Sequence, residues 1–143
     1  MIAPCGMNCS LCISYLAMKN DLKSKGFSRS YCPGCLPRGK NCTHMKTSCD
    51  LLGIGLVRFC HECETYPCKR LKDLDKRYRT KYHMSILENL EHLKKYGMQS
   101  LLEKEEARWR CKKCVDVVCC HNGLCLSCDL DELRRNKKYR WGE

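Results

Sequence analysis

The chain has 143 residues, of which 16 are cysteine, about 11%, above the roughly 8–10% at which cysteine use sets a short sequence apart. Formal charge is +11, mean hydropathy −0.52, and Phe and Trp together supply only four residues, so ordinary core-forming material is thin. The longest apolar run, Leu51 to Val57, is far short of the ~18 residues that span a bilayer. A membrane protein, a collagen-like chain and a plain hydrophobic globule are thereby excluded. The opening residues Met1-Ile2-Ala3-Pro4-Cys5 have no basic or hydrophobic stretch of a secretory signal, so a cytoplasmic location is expected. What remains is a small chain stapled by metals or disulfides.

Spacing favours metal. The pairs Cys9-x2-Cys12, Cys32-x2-Cys35, Cys60-x2-Cys63, Cys111-x2-Cys114 and Cys125-x2-Cys128 each turn two sulfurs toward one point, as a tetrahedral ion or a cluster corner requires. A disulfide inside such a gap marks a redox site, and five in one chain would be odd.

The predicted fold is mainly α with short hairpins, in four stretches: a cysteine-rich metal-binding region over 1–68, a helical segment over 69–109 packing on it, knuckles over 110–128, and a basic helical tail over 129–143. The first helix is expected from about Cys9 to Lys23, placing Cys9 and Cys12 on one face. Cys32-Pro33-Gly34-Cys35 reads as a tight turn in which glycine relieves backbone strain. Lys69 to Tyr78 reads as a helix with Leu71 and Leu74 on one side. Ser85 followed by Glu88 is a capping box ahead of Ile86, Leu87, Leu90 and Leu93. Gly97 sits at a helix C-cap position, and a second helix runs from Gln99 to Trp109.

Ten cysteines fall in the first stretch: Cys5, Cys9, Cys12, Cys32, Cys35, Cys42, Cys49, Cys60, Cys63 and Cys68. They fill two four-ligand sites with two left over, and His44 or His61 also satisfies the arithmetic, so the pairing stays open. Cys5-x3-Cys9-x2-Cys12 shares its spacing with the open-cornered cluster of radical S-adenosylmethionine enzymes, but that chemistry rides on a barrel of ~200–250 residues. This chain is too short for one.

Cys5-Gly6-x2-Cys9-x2-Cys12, Cys32-x-Gly34-Cys35 and Phe59-Cys60-x-Glu62-Cys63-x3-Pro67-Cys68 together resemble a family of small cysteine-rich bacterial and archaeal proteins of unknown function. The resemblance covers roughly residues 1–70, and the segments Arg77–Ser85 and Trp109–Cys128 are similar to an extended form of that family. It implies zinc binding and supplies no reaction. Val115-Asp116 stands where the look-alikes carry Gly-Gly.

Cys111-x2-Cys114 and Cys125-x2-Cys128 are separated by the stretch Val115 to Leu124, a short zinc-ribbon spacing with Asn122-Gly123 to turn the chain. Cys119, Cys120 and His121 lie between the pairs. Either they serve another site or Cys119 and His121 replace one member, with Cys120 read as a small buried hydrophobe. Two to four zinc ions are expected. The alternative is a 4Fe–4S cluster on Cys5, Cys9 and Cys12 with Cys68 as a possible fourth ligand. His83 and His92 belong to helix surfaces or core edges.

Each four-thiolate zinc site carries about −2, so three or four of them reduce +11 to roughly +5 to +3. Basic stretches survive at Lys69–Lys81 and Arg134–Arg140, interleaved with Tyr78, Tyr82, Tyr139 and Trp141. Solvated helix faces account for them. The expected role is an interaction module for a protein partner, with RNA or DNA binding through those two stretches as the alternative. Membrane association is not expected. The sequence holds no nucleophile–base pair, phosphate loop or paired acids. An enzymatic reading needs a three-ligand metal with Glu62 or Glu64 as base, and both glutamates read as surface residues.

Overall fold

The computed structural model describes residues 1–35, 49–53, 55–135 and 141. Cys42, His44, Lys137, Lys138, Tyr139 and Arg140 lie outside the described residues. The elements are α1 (Ile13–Lys19), α2 (Asp50–Gly53), α3 (Lys69–Tyr82), α4 (Ile86–Arg108) and α5 (Leu130–Arg135), with 3-10 turns at Cys9–Leu11 and Cys60–Glu62.

The expected helix from Cys9 to Lys23 is split and shorter. Asn8 opens the 3-10 turn by accepting from the Ser10 N–H at 3.1 Å, and Cys12 is extended (φ −73°, ψ 136°) as the N-cap of α1. Cys9 and Cys12 therefore flank a knuckle instead of sharing a helical face. Beyond Lys19, Asp21 turns left-handed (φ 45°) and ends the run.

α3 buries Leu71, Leu74 and Asp75. The Asp75 carboxylate, 2% exposed, accepts from Ser85 Oγ (2.8 Å), Leu87 N–H (3.1 Å) and Arg79 Nε (2.7 Å). One buried acid thus ties α3 to the start of α4, with both carboxylate oxygens hydrogen-bonded. Ser85 caps α4 by accepting from the Glu88 N–H at 3.1 Å. At Gly97 (φ 86°, ψ 172°) the helix breaks into two arms, as the predicted C-cap and second helix require.

The main core joins Ala3, Met7 and Leu11 to Leu71, Met84, Ile86, Leu90 and Trp109, with Cys5, Cys9, Cys60 and Cys120 buried among them. A second cluster packs Ile13 and Leu16 of α1 against Leu22, Phe27, Leu126 and Leu133. The last third of the chain is therefore laid on the first thirty residues. Trp141 closes this contact: its indole N–H donates to the Cys120 carbonyl at 2.8 Å, and a Cβ on Gly123 would lie 2.4 Å from its ring.

The expected hairpins reduce, among the described residues, to two single antiparallel bridges, Ile2 with Asn8 and Arg110 with Val117. Backbone N–H groups that would extend the second ladder turn instead to cysteine sulfur. No described helix is long and apolar enough to cross a membrane.

Candidate metal centre

The last turn of α4 delivers Trp109 and then Cys111, and the residues ahead of α5 deliver Cys125 and Cys128. The sulfurs of Cys111, Cys114, Cys125 and Cys128 all lie within 4.8 Å of one another. A tetrahedral ion with bonds of ~2.3 Å sets its thiolate sulfurs about 3.8 Å apart, and Cys114 Sγ stands 3.7 Å from Cys125 Sγ. Each thiolate of a cubane cluster binds a different iron, which holds the sulfurs farther apart. This set could hold a metal ion. Among the described residues no second group of three or more possible ligands is drawn together in this way.

Local hydrogen bonds shape the knuckles. The N–H groups of Lys113 and Asp116 donate to the sulfurs of Cys111 and Cys114, each at 3.4 Å. The Lys113 N–H is the main reason that the Cys111 thiol is lowered to about 7, since a hydrogen bond to the charged form favours it. Two aspartates brace the turns from outside. Asp129 accepts from the Cys125 N–H at 2.9 Å and from Lys113 Nζ at 2.6 Å. Asp116 accepts from Ser127 Oγ at 2.8 Å and Lys19 Nζ at 3.1 Å, tying the knuckles to α1. The Val115-Asp116 pair thus supplies a brace through its aspartate, while Val115 stands 93% exposed.

Cys119, Cys120 and His121 are not part of this set. Cys119 and Cys120 are fully buried, and burial pushes the Cys119 thiol up to about 12 and Cys120 well above its ordinary value. Both stand as neutral thiols. The Cys120 N–H donates to the Leu11 carbonyl at 2.9 Å, setting the segment against the N-terminal knuckle. Burial holds His121 neutral, its pKa lowered to about 4.

The structure brings the pair Cys9/Cys12 up to Cys32/Cys35. The Cys35 N–H points at Cys9 Sγ from 3.5 Å and the Cys32 N–H donates to Ser14 O at 3.3 Å. Burial raises the Cys12 thiol, and the nearby Cys9 and Cys32 add to the effect. Cys5 sits in the main core at 3% exposure. Cys49, Cys60, Cys63 and Cys68 all line one cavity. Glu62 is occupied structurally: its Oε1 accepts from the Arg58 and Phe59 N–H groups at 2.7 and 2.8 Å, which keeps its carboxyl below the usual range, the Phe59 bond contributing most.

Sequence reasoning had no signal for the buried Glu105, which is 1% exposed. Asn8 and the Trp109 indole lie near it, yet neither carboxylate oxygen is hydrogen-bonded.

No curated protein and no solved structure matches the chain. Residues 1–73 match the family described as protein of unknown function DUF3795. That stretch is just over half of the sequence, carries the first ten cysteines and none of the C-terminal knuckle set, and contains the motifs quoted above. The chain belongs to the DUF3795 family.

Proposed function

We propose that the chain is a structural zinc protein acting as an interaction module, its C-terminal knuckles forming a zinc-ribbon-like clamp on Cys111, Cys114, Cys125 and Cys128. The observation that carries this reading is the mutual approach of the four sulfurs within 4.8 Å. Four thiolates leave the ion no open position for a substrate, which suits a structural role over a catalytic one. The ion joins the end of α4 to the segment that covers α1, so binding it and folding that segment are one equilibrium.

The partner surface in this reading is α3. Lys69 is matched by Asp73 and Arg79 by Asp75, while Lys72, Lys76, Arg77 and Lys81 are exposed. This face suits an anionic partner, protein or nucleic acid, held by long-range attraction.

The test is elemental analysis of the anaerobically purified chain beside Cys114→Ser and Cys125→Ser. The reading expects one zinc fewer in each variant. Iron in place of zinc at this set, or an unchanged zinc count, overturns it.

A further inference from the structure

The cavity beneath α2 and the N-terminus of α3 is ringed by four cysteines from three separate segments. Cys49 precedes α2, Cys60 and Cys63 bracket the second 3-10 turn, and Cys68 is the N-cap of α3. None of them belongs to the knuckle set. Two features set this group apart from it. Its sulfurs are not gathered around a point, since the knuckle set is the one such group among the described residues. And a cavity of about 170 Å³ remains between them and their neighbours, where a single water-sized sphere needs only ~10–15 Å³. One ion would leave most of that space empty.

We propose that Cys49, Cys60, Cys63 and Cys68 hold a polynuclear iron–sulfur cluster. A cluster fills a cavity because each thiolate reaches a different iron or a different edge of the core, so the sulfurs stand apart instead of converging. The surroundings fit an anionic centre. Arg70 lines the same cavity. Cys68 is the N-cap of α3, a 14-residue helix, whose dipole is positive at that end and attracts an anionic centre. Thr65 Oγ1 lies 3.2 Å from Cys63 Sγ, a hydrogen bond to sulfur of the kind that tunes cluster potential. This site is separate from the zinc clamp proposed above, and each can fail without the other.

The test is reconstitution of the full chain with ferric iron, a thiol reductant and sulfide under nitrogen. The expected result is roughly two to four iron atoms with matching acid-labile sulfide per chain and absorption near ~400 nm. Cys63→Ala and Cys68→Ala should each lose iron and sulfide, while Cys114→Ala and Cys125→Ala retain both. Thr65→Val, which leaves all ligands in place, should keep the cluster and shift its reduction potential. Circular dichroism and thermal melting like those of the native chain in Cys63→Ala and Cys68→Ala report that they are folded. Zinc at this site without labile sulfide, no metal at all, or iron indifferent to both cavity variants would overturn the proposal.

Discussion

The backbone N–H of Ile13 donates to Nδ1 of His121 across 3.2 Å, joining residues 108 positions apart. Ile13 is the first residue of α1, where an N–H has no acceptor within its own helix. Acceptance at Nδ1 assigns the ring proton to Nε2, and the ring is held edge-on by Tyr82 at 4.7 Å and Tyr78 at 6.0 Å. A histidine read in sequence as a possible ligand therefore serves as the remote cap of α1. His121→Ala should destabilise the chain by about 1–2 kcal/mol, lowering Tm by several degrees. His121→Asn, whose amide oxygen can accept, should recover part of the loss. Thermal melts followed by circular dichroism decide it, and equal Tm values for the alanine variant and the native chain would remove the cap from the account.

Removing the metal from the knuckles should unfold the segment from Trp109 to Leu133. A structural zinc contributes on the order of 10 kcal/mol, more than this segment's few buried apolar residues can replace. Trp109 is 5% exposed in the folded chain, so its emission should move to the red as a strong chelator strips the site. Unchanged emission and circular dichroism after verified metal loss would show that packing alone holds the segment.

Glu105 gives a pH signature. Burial raises its carboxyl above the ordinary 4.5, against smaller lowering effects from Asn8 and nearby cations. The native state then keeps a proton that the unfolded state releases, so this residue's contribution to stability falls as pH rises from about 4.5 through the raised native value. Glu105→Gln removes the charge and keeps the shape. It should raise stability at pH 7 by about 1–3 kcal/mol and have little effect near pH 4. Urea titrations at the two pH values measure this, and an equal effect at both would assign the gain to something other than ionisation.

Two glycines with similar φ should respond differently to alanine. Gly6 has φ +93°, and a Cβ there would lie 2.4 Å from the Ile86 carbonyl and 2.8 Å from Leu90 Cγ, while its own carbonyl accepts from Asn89 Nδ2 at 2.9 Å. Gly97 has φ +86° and nothing within 4 Å of the added atom. Gly97→Ala should cost about 1 kcal/mol of backbone strain. Gly6→Ala adds a clash with helix backbone and should cost about 3 kcal/mol. Chemical denaturation of both variants checks the difference, and equal losses would rule out the clash.

The features legible in sequence were those set by near neighbours. The capping pair Ser85 and Glu88, the break at Gly97 and the helix beginning at Lys69 all follow from local backbone chemistry. The knuckle set was legible because its two pairs lie close in the chain. The split at Cys12 was not, since the side-chain periodicity around it is helical and the extended conformation is fixed by the knuckle. Cys49 cannot be assigned to the neighbourhood of Cys60, Cys63 and Cys68 without the chain path that closes the cavity. Glu105 resembles Glu103 and Glu106 in sequence. Only the docking of α4 buries the one and leaves the others exposed.

The contact between residues 11–13 and 120–121 also carries a time. At roughly 5–20 residues per second, a ribosome that has released Ile13 needs roughly 5–20 seconds to add the 108 positions that bring His121. During that interval the thiols of Cys9 and Cys12 exist without the segment that later packs over them. Nascent chains therefore present those sulfurs to metal or oxidant before the fold can shelter them.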